Sequence, residues 1–258
     1  MRAKLLPLLL LPMLAYAGLS SAVYLGQRDL IYFPQPRALP AGMHELMLDA
    51  AGARLQVSVR EMPGAPALIY FGGNAEDVSR TLPELARFLP GHALYLLHYR
   101  GYGASEGEPS EATLFADAEV LYAHVAARHP QVDVVGRSLG SGVAVHLASQ
   151  RPVSRLVLVT PFDSLAAVAS EQFPWLPVDW LLQDRYDSAR LASQVSAPTL
   201  LLVAARDTLV RPARSEALRR AFLHAAVELR TLDGVDHNTI GLHPGYGPAL
   251  AGKTEASP

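Results

Sequence analysis

From residue 67 onward the chain repeats one texture, a short and mainly apolar run followed by a stretch with helical character. The runs are Ala67–Phe71, Ala93–Leu97, Val132–Val135, Leu156–Val159, Thr199–Ala204 and Val227–Leu232. Amphipathic or apolar helical patterns lie near Val78–Leu89, Glu111–Arg128, Gly140–Gln150 and Arg211–Ala226. Strands that read as apolar on both faces must be covered on both faces, and helices between them supply the cover. Strand–helix alternation of this kind builds a mostly parallel sheet with right-handed crossovers, so the fold class is α/β. Two earlier runs, His44–Asp49 and Ala53–Val59, are joined at Ala51-Gly52 and read as an antiparallel hairpin at one sheet edge. Leu165–Ala197 is too long for a simple crossover. With its Phe173-Pro174-Trp175-Leu176-Pro177-Val178-Asp179-Trp180 section it reads as a small lid, about 165–197, over the carboxyl edge of the sheet, between the sixth and seventh strands.

The other end of the chain has a different character. Arg2 and Lys4 precede a charge-free run of 22 residues, Leu5 to Gly26. As a helix this would extend about 33 Å, against roughly 30 Å for a bilayer's hydrocarbon core. An uncleaved membrane anchor is the expectation, with Tyr24, Tyr32 and Phe33 at the interface. The alternative is a signal peptide cleaved near Ala15-Tyr16-Ala17, giving a secreted protein. Either reading keeps Arg2 and Lys4 on the cytoplasmic side and exports the body. The organisation expected is thus an N-terminal segment, 1–27, a Pro-punctuated linker, 28–43, and a folded domain, 44–258.

The chemistry-bearing signal sits where the third central run ends. Gly136-Arg137-Ser138-Leu139-Gly140 directly follows Val132–Val135 and opens a helix. This is G-x-S-x-G in a strand–turn–helix setting. A serine exposed on so tight a turn needs small neighbours two positions away on each side, and the helix N-terminus favours negative charge beside it. The spacing of a dinucleotide-binding glycine loop is not met.

Serine needs a base, and the base needs an acid to orient it. Of nine histidines, His237 alone lies in a loop immediately after the last strand, in Gly234-Val235-Asp236-His237-Asn238; His243 is the rival. Asp207, three residues beyond Leu200–Ala204, is the candidate acid, with Asp163 after the preceding strand as its competitor. Asp233 and Asp236 stand too near His237 in sequence to reach its ring easily. The order Ser138, Asp207, His237 is that of a strand-edge nucleophile, acid and base. Oxyanion donors should be backbone amides, which are fixed and pre-aimed. Leu139, next after the nucleophile, is one. Asn74, after Gly72-Gly73 in the turn that follows Ala67–Phe71, is the other.

Together these residues resemble the α/β-hydrolase superfamily along essentially the whole exported part. More narrowly the chain is similar to the membrane-anchored, serine-aminopeptidase-like or Bem46-like branch, related to eukaryotic depalmitoylating hydrolases. Leu30-Ile31-Tyr32-Phe33-Pro34, Gly73-Asn74-Ala75, Tyr99 to Gly107, Gly136 to Gly142, Pro161-Phe162-Asp163-Ser164, Asp207 and His237-Asn238 carry that likeness. One departure stands out: Gly72 occupies the place where the branch usually has histidine. The resemblance implies a serine hydrolase of esters, thioesters or amides, with a small-molecule or acyl substrate and without metal or cofactor. An aminopeptidase is the enzymatic alternative, and a non-catalytic envelope binding protein the other. Arg100 is a candidate substrate contact or an anchor for its own loop. Phe173, Trp175 and Trp180 are candidates for an acyl pocket or for lid packing.

Composition narrows the rest. With 22 basic against 24 acidic residues and no basic cluster, a nucleic-acid partner is excluded. The absence of cysteine excludes a thiol nucleophile, disulfides and thiolate metal sites. Oligomeric state is not encoded in any feature of the sequence.

Overall fold

The computed structural model describes residues 6–37 and 44–252. Eight strands form one sheet in the order β1-β2-β4-β3-β5-β6-β7-β8. They are β1 (Glu45–Ala50), β2 (Ala53–Arg60), β3 (Ala67–Phe71), β4 (Ala93–Leu97), β5 (Val132–Arg137), β6 (Arg155–Val159), β7 (Thr199–Ala204) and β8 (Val227–Leu232). β1 pairs antiparallel with β2, and β2 antiparallel with β4; every other pairing is parallel. The hairpin is therefore at the edge, as its alternation and Ala51-Gly52 turn predict, with Gly52 at φ 78°.

Why the central runs are apolar throughout is visible in the core. Successive β3 side chains point to opposite faces: Ala67, Ile69 and Phe71 join one apolar cluster, Leu68 and Tyr70 the other. The first cluster is closed by α3 (Glu111–Ala126), α4 (Leu139–Gln150) and α8 (Pro212–Ala221), through Leu114, Leu121, Val143 and Leu218. The second is closed by α2 (Val78–Phe88) and α9 (Tyr246–Leu250), through Leu82, Leu85, Tyr246 and Ala249. Helix starts follow their caps. Asp77 accepts from Ser79 N ahead of α2, and Ser110 and Thr113 form a capping box ahead of α3. The lid consists of α5 (Leu165–Gln172), α6 (Val178–Leu181) and α7 (Ser188–Ala192), inserted between β6 and β7 as expected.

The N-terminal segment is helical. It forms a single helix, α1 (Leu6–Ile31), that runs through the first residues of the anticipated linker. Among the described residues no helix is long and apolar enough to cross a membrane. The last two turns of α1 bring in polar residues. They carry Gln27, Arg28 and Asp29, and Gln27 is buried against the lid, with Nε2 donating to Leu181 O at 3.0 Å. The end of α1 is held by polar contacts to protein. Residues 1–5 and 38–43, with Arg2, Lys4 and part of the linker, lie outside the described residues.

Candidate active site

Four loops meet at the carboxyl edge of the sheet, where an open parallel sheet leaves room for a site. They follow β3, β5, β7 and β8, and they bring in Gly72–Asn74, Ser138, Asp207 and His237 respectively. Ser138 sits between β5 and α4 at φ 51° and ψ −117°, a conformation that costs a non-glycine residue free energy and must be enforced by its surroundings. The enforcement is steric and local. A Cβ on Gly140 would lie 2.1 Å from Phe71 O, and one on Gly136 would lie 2.3 Å from Gly140 O. Only glycine lets strand, elbow and helix approach so closely. Ser138 N also donates to Val159 O at 2.9 Å, which ties the elbow to β6.

The three side chains form a continuous hydrogen-bonded line. His237 Nε2 is 2.9 Å from Ser138 Oγ, and His237 Nδ1 is 2.7 Å from Asp207 Oδ2. Asp207 is fixed in turn, because its Oδ1 accepts from the amides of Leu209 at 2.9 Å and Val210 at 2.8 Å. A carboxylate oxygen can only accept. The His237 proton therefore belongs on Nδ1, and the Nε2 lone pair faces the serine hydroxyl. Asp207 and His237 are both buried, so water competes weakly for these bonds.

The rival residues have other partners. Asp163 Oδ2 pairs with Arg214 at 3.2 Å, and burial raises its carboxyl above the ordinary range. His243 Nδ1 accepts from Gly245 N. Asp236 shapes the histidine loop, accepting from Asn238 N, Thr239 N and Thr239 Oγ1; those Thr239 bonds hold its carboxyl below the ordinary range.

A cavity of about 230 Å³ opens beside the serine. Ser138, Leu139 and Asn74 line one end, and Phe162, Val168 and Phe173 are among the apolar residues that continue it under the lid. Leu139 is the first residue of α4, where backbone N–H groups have no partner within the helix. The Asn74 peptide is pinned from several sides: its carbonyl accepts from Phe33 N and Tyr102 Oη, and its Nδ2 donates to Ile31 O at 2.9 Å.

Three of the candidate substrate contacts lie elsewhere. Arg100 makes a buried two-pronged pair with Asp117, at 2.9 and 2.7 Å, and donates to Ala51 O, so it anchors its loop on α3 and does not reach the cavity. Trp175 and Trp180 do not line the cavity and are 52% and 89% exposed. Phe173 alone of that set reaches it. Conversely, sequence reading passed over Glu76 and Arg137. Glu76 Oε2 accepts from Gly73 N at 2.9 Å and from Arg137 Nη1 at 3.3 Å, while Arg137 Nη2 donates to His237 O at 3.4 Å. One carboxylate and one guanidinium thus tie the Asn74 loop to the histidine loop. A charged residue at the variable position before the serine was the available sign.

The α/β hydrolase fold model matches residues 66–193 of the chain. An uncharacterized protein of Mycobacterium tuberculosis is 37% identical over 256 residues, covering 92% of this chain and 89% of that protein. The chain belongs to the α/β-hydrolase family. The protein bem46 of Schizosaccharomyces pombe is 26% identical over 282 residues, with 92% of each chain covered. Among solved structures, the esterase Pf2001 of Pyrococcus furiosus superposes with a TM-score of 0.69 at 17% identity, covering 85% of this chain and 97% of the esterase; that likeness is one of fold. Within this α/β-hydrolase the glycine at position 72 has a structural account. A Cβ there would meet Val78 Cγ1 at 2.6 Å, and Tyr99 Oη donates to the Gly72 carbonyl at 2.7 Å. Tyr99 and Glu76 support this loop.

Proposed function

We propose that this chain is a serine hydrolase that cleaves an ester or thioester through an acyl-enzyme. The observation that carries the reading is the unbroken Asp207–His237–Ser138 hydrogen-bonded line at the mouth of an apolar cavity. Ser138 Oγ attacks the carbonyl carbon while His237 Nε2 takes its proton. The tetrahedral oxyanion is held by the amides of Leu139 and Asn74, with the α4 N-terminus adding favourable potential. His237 then protonates the leaving group, the C–O or C–S bond breaks, and the acyl group stays on Ser138. Water, deprotonated by His237, releases the acid and restores the hydroxyl. Asp207 fixes the imidazole tautomer and stabilises the imidazolium.

Amide hydrolysis follows the same steps, but an aminopeptidase must also hold a substrate ammonium. The described residues that line the cavity include no Asp or Glu, which favours a neutral acyl chain. The test is turnover of p-nitrophenyl butyrate by the purified full chain. Ser138→Ala should reduce kcat at least about 10³-fold, with His237→Ala close behind. A folded wild type without turnover on any p-nitrophenyl ester would favour a binding protein of the same fold. The charge-free run behind Arg2 and Lys4 further supports an exported catalytic domain, which fractionation of C-terminally tagged chain would test.

A further inference from the structure

The N-terminal helix supplies part of the cavity's lining. Val23, Gln27, Leu30 and Ile31 of α1 line it. Their spacing of four, three and one residues places them on one helical face, while Leu25 between them is 83% exposed. The helix is not loosely laid there. Gln27, 5% exposed, donates from Nε2 to Leu181 O and accepts at Oε1 from Gln183 N at 2.7 Å. Tyr32 Oη reaches Asp184 at 3.0 Å and Tyr186 Oη at 2.8 Å, and Arg28 pairs with Asp184. Immediately beyond, Ile31 O and Phe33 N hold the two ends of Asn74. The same short stretch therefore seats the lid, closes the cavity and fixes the loop that carries one expected oxyanion donor.

We infer that α1 is a working wall of the substrate pocket, and that Val23 and its neighbours on that face set the length of acyl chain accepted. This deepens the serine-hydrolase reading, on which its catalytic half rests. At about 230 Å³ the cavity exceeds the roughly 150 Å³ apolar cavity that accepts a benzene ring, so a saturated acyl group of medium length such as octanoyl is the probe of choice. Each methylene that enters such a pocket should raise kcat/KM about fourfold until the pocket is full. Bulk added at the wall should remove that gain, and bulk removed should extend it.

The experiment uses full-length protein and four forms: wild type, Val23→Trp, Val23→Ala, and Leu25→Trp as the same insertion on the outer face. Calorimetry with sodium octanoate measures the pocket without chemistry, and p-nitrophenyl butyrate, octanoate and decanoate measure it with chemistry. Val23→Trp should weaken octanoate binding at least about 10-fold and lower the octanoate-to-butyrate kcat/KM ratio by a similar factor. Val23→Ala should move the optimum toward decanoate, a readout that survives if the tryptophan variant fails to fold. Leu25→Trp should match wild type in both. Octanoate that does not bind wild type, or binding and chain-length profiles blind to both Val23 changes, would overturn the inference while leaving ester turnover intact. Val23-dependent octanoate binding in a protein that hydrolyses no ester would sustain the pocket and overturn the hydrolase reading instead.

Discussion

Gly140→Ala is the substitution on which the geometry makes its sharpest demand. Helix propensity alone favours alanine over glycine by about 1 kcal/mol. The site reverses that sign. The new Cβ would stand 2.1 Å from Phe71 O and 2.6 Å from Gly72 O, distances that real Cβ atoms, which keep beyond 3.0 Å, do not show. Both obstacles are backbone, one at the end of a central strand, so no side chain can swing aside. The separation between α4 and the end of β3 must open by about 0.9 Å, from 2.1 to 3.0 Å. Overpacking of this kind costs roughly 1–3 kcal/mol after the propensity gain is absorbed. The displacement also falls between Leu139 and Asn74, the two expected oxyanion donors, and a 1 Å misplacement there is worth about 10²-fold in rate. Urea unfolding and kcat on p-nitrophenyl butyrate read the two effects separately. Gly91→Ala, where a Cβ meets nothing within 4 Å, is the control and should stay within about 0.5 kcal/mol of wild type. A Gly140→Ala protein with wild-type stability and kcat would refute the close-approach argument for the elbow.

Two further expectations follow from buried charge. Arg100→Met leaves Asp117, whose side chain is 1% exposed, without its partner, and should destabilise by about 3–5 kcal/mol in urea titration while the chain-length profile of the enzyme is unaltered. His98 is buried beside Ser58 Oγ at 2.9 Å, and burial pushes its pKa down to about 4. The unfolded chain therefore takes up a proton between about pH 6.5 and pH 4 that the folded chain refuses. The contribution is present above pH 6.5 and lost as pH falls toward 4, by about 3 kcal/mol in full. Urea midpoints measured from pH 7 to 4.5 should show this slope, and His98→Gln should flatten it.

Much of this site was legible because its residues follow strands. Ser138, Asp207 and His237 each come within five residues of a run whose apolar character marks it as a buried strand, and the parallel sheet then gathers those ends at one edge. Partners distant in sequence were not legible. Arg100 could equally have faced a substrate anion, and only the fold puts Asp117 of α3 beneath it. Trp175 and Trp180 carry the same aromatic signal whether they face a pocket or solvent. The charge-free N-terminal run is ambiguous for a related reason: lipid and protein both accept apolar side chains. Gln27, one position beyond the run, has a buried amide with its partners on the lid, whereas Leu11, Met13, Leu14 and Leu19 within the run are exposed.

The central claim is that Ser138 is a nucleophile activated by His237. Intact-mass spectrometry after exposure to a fluorophosphonate tests it without assuming any natural substrate. One phosphonyl group per chain, mapped to the peptide holding Ser138, absent in Ser138→Ala and slowed at least about 10²-fold in His237→Ala, is the predicted result. A correctly folded wild type that takes up no label, or a label that persists in Ser138→Ala, would contradict it.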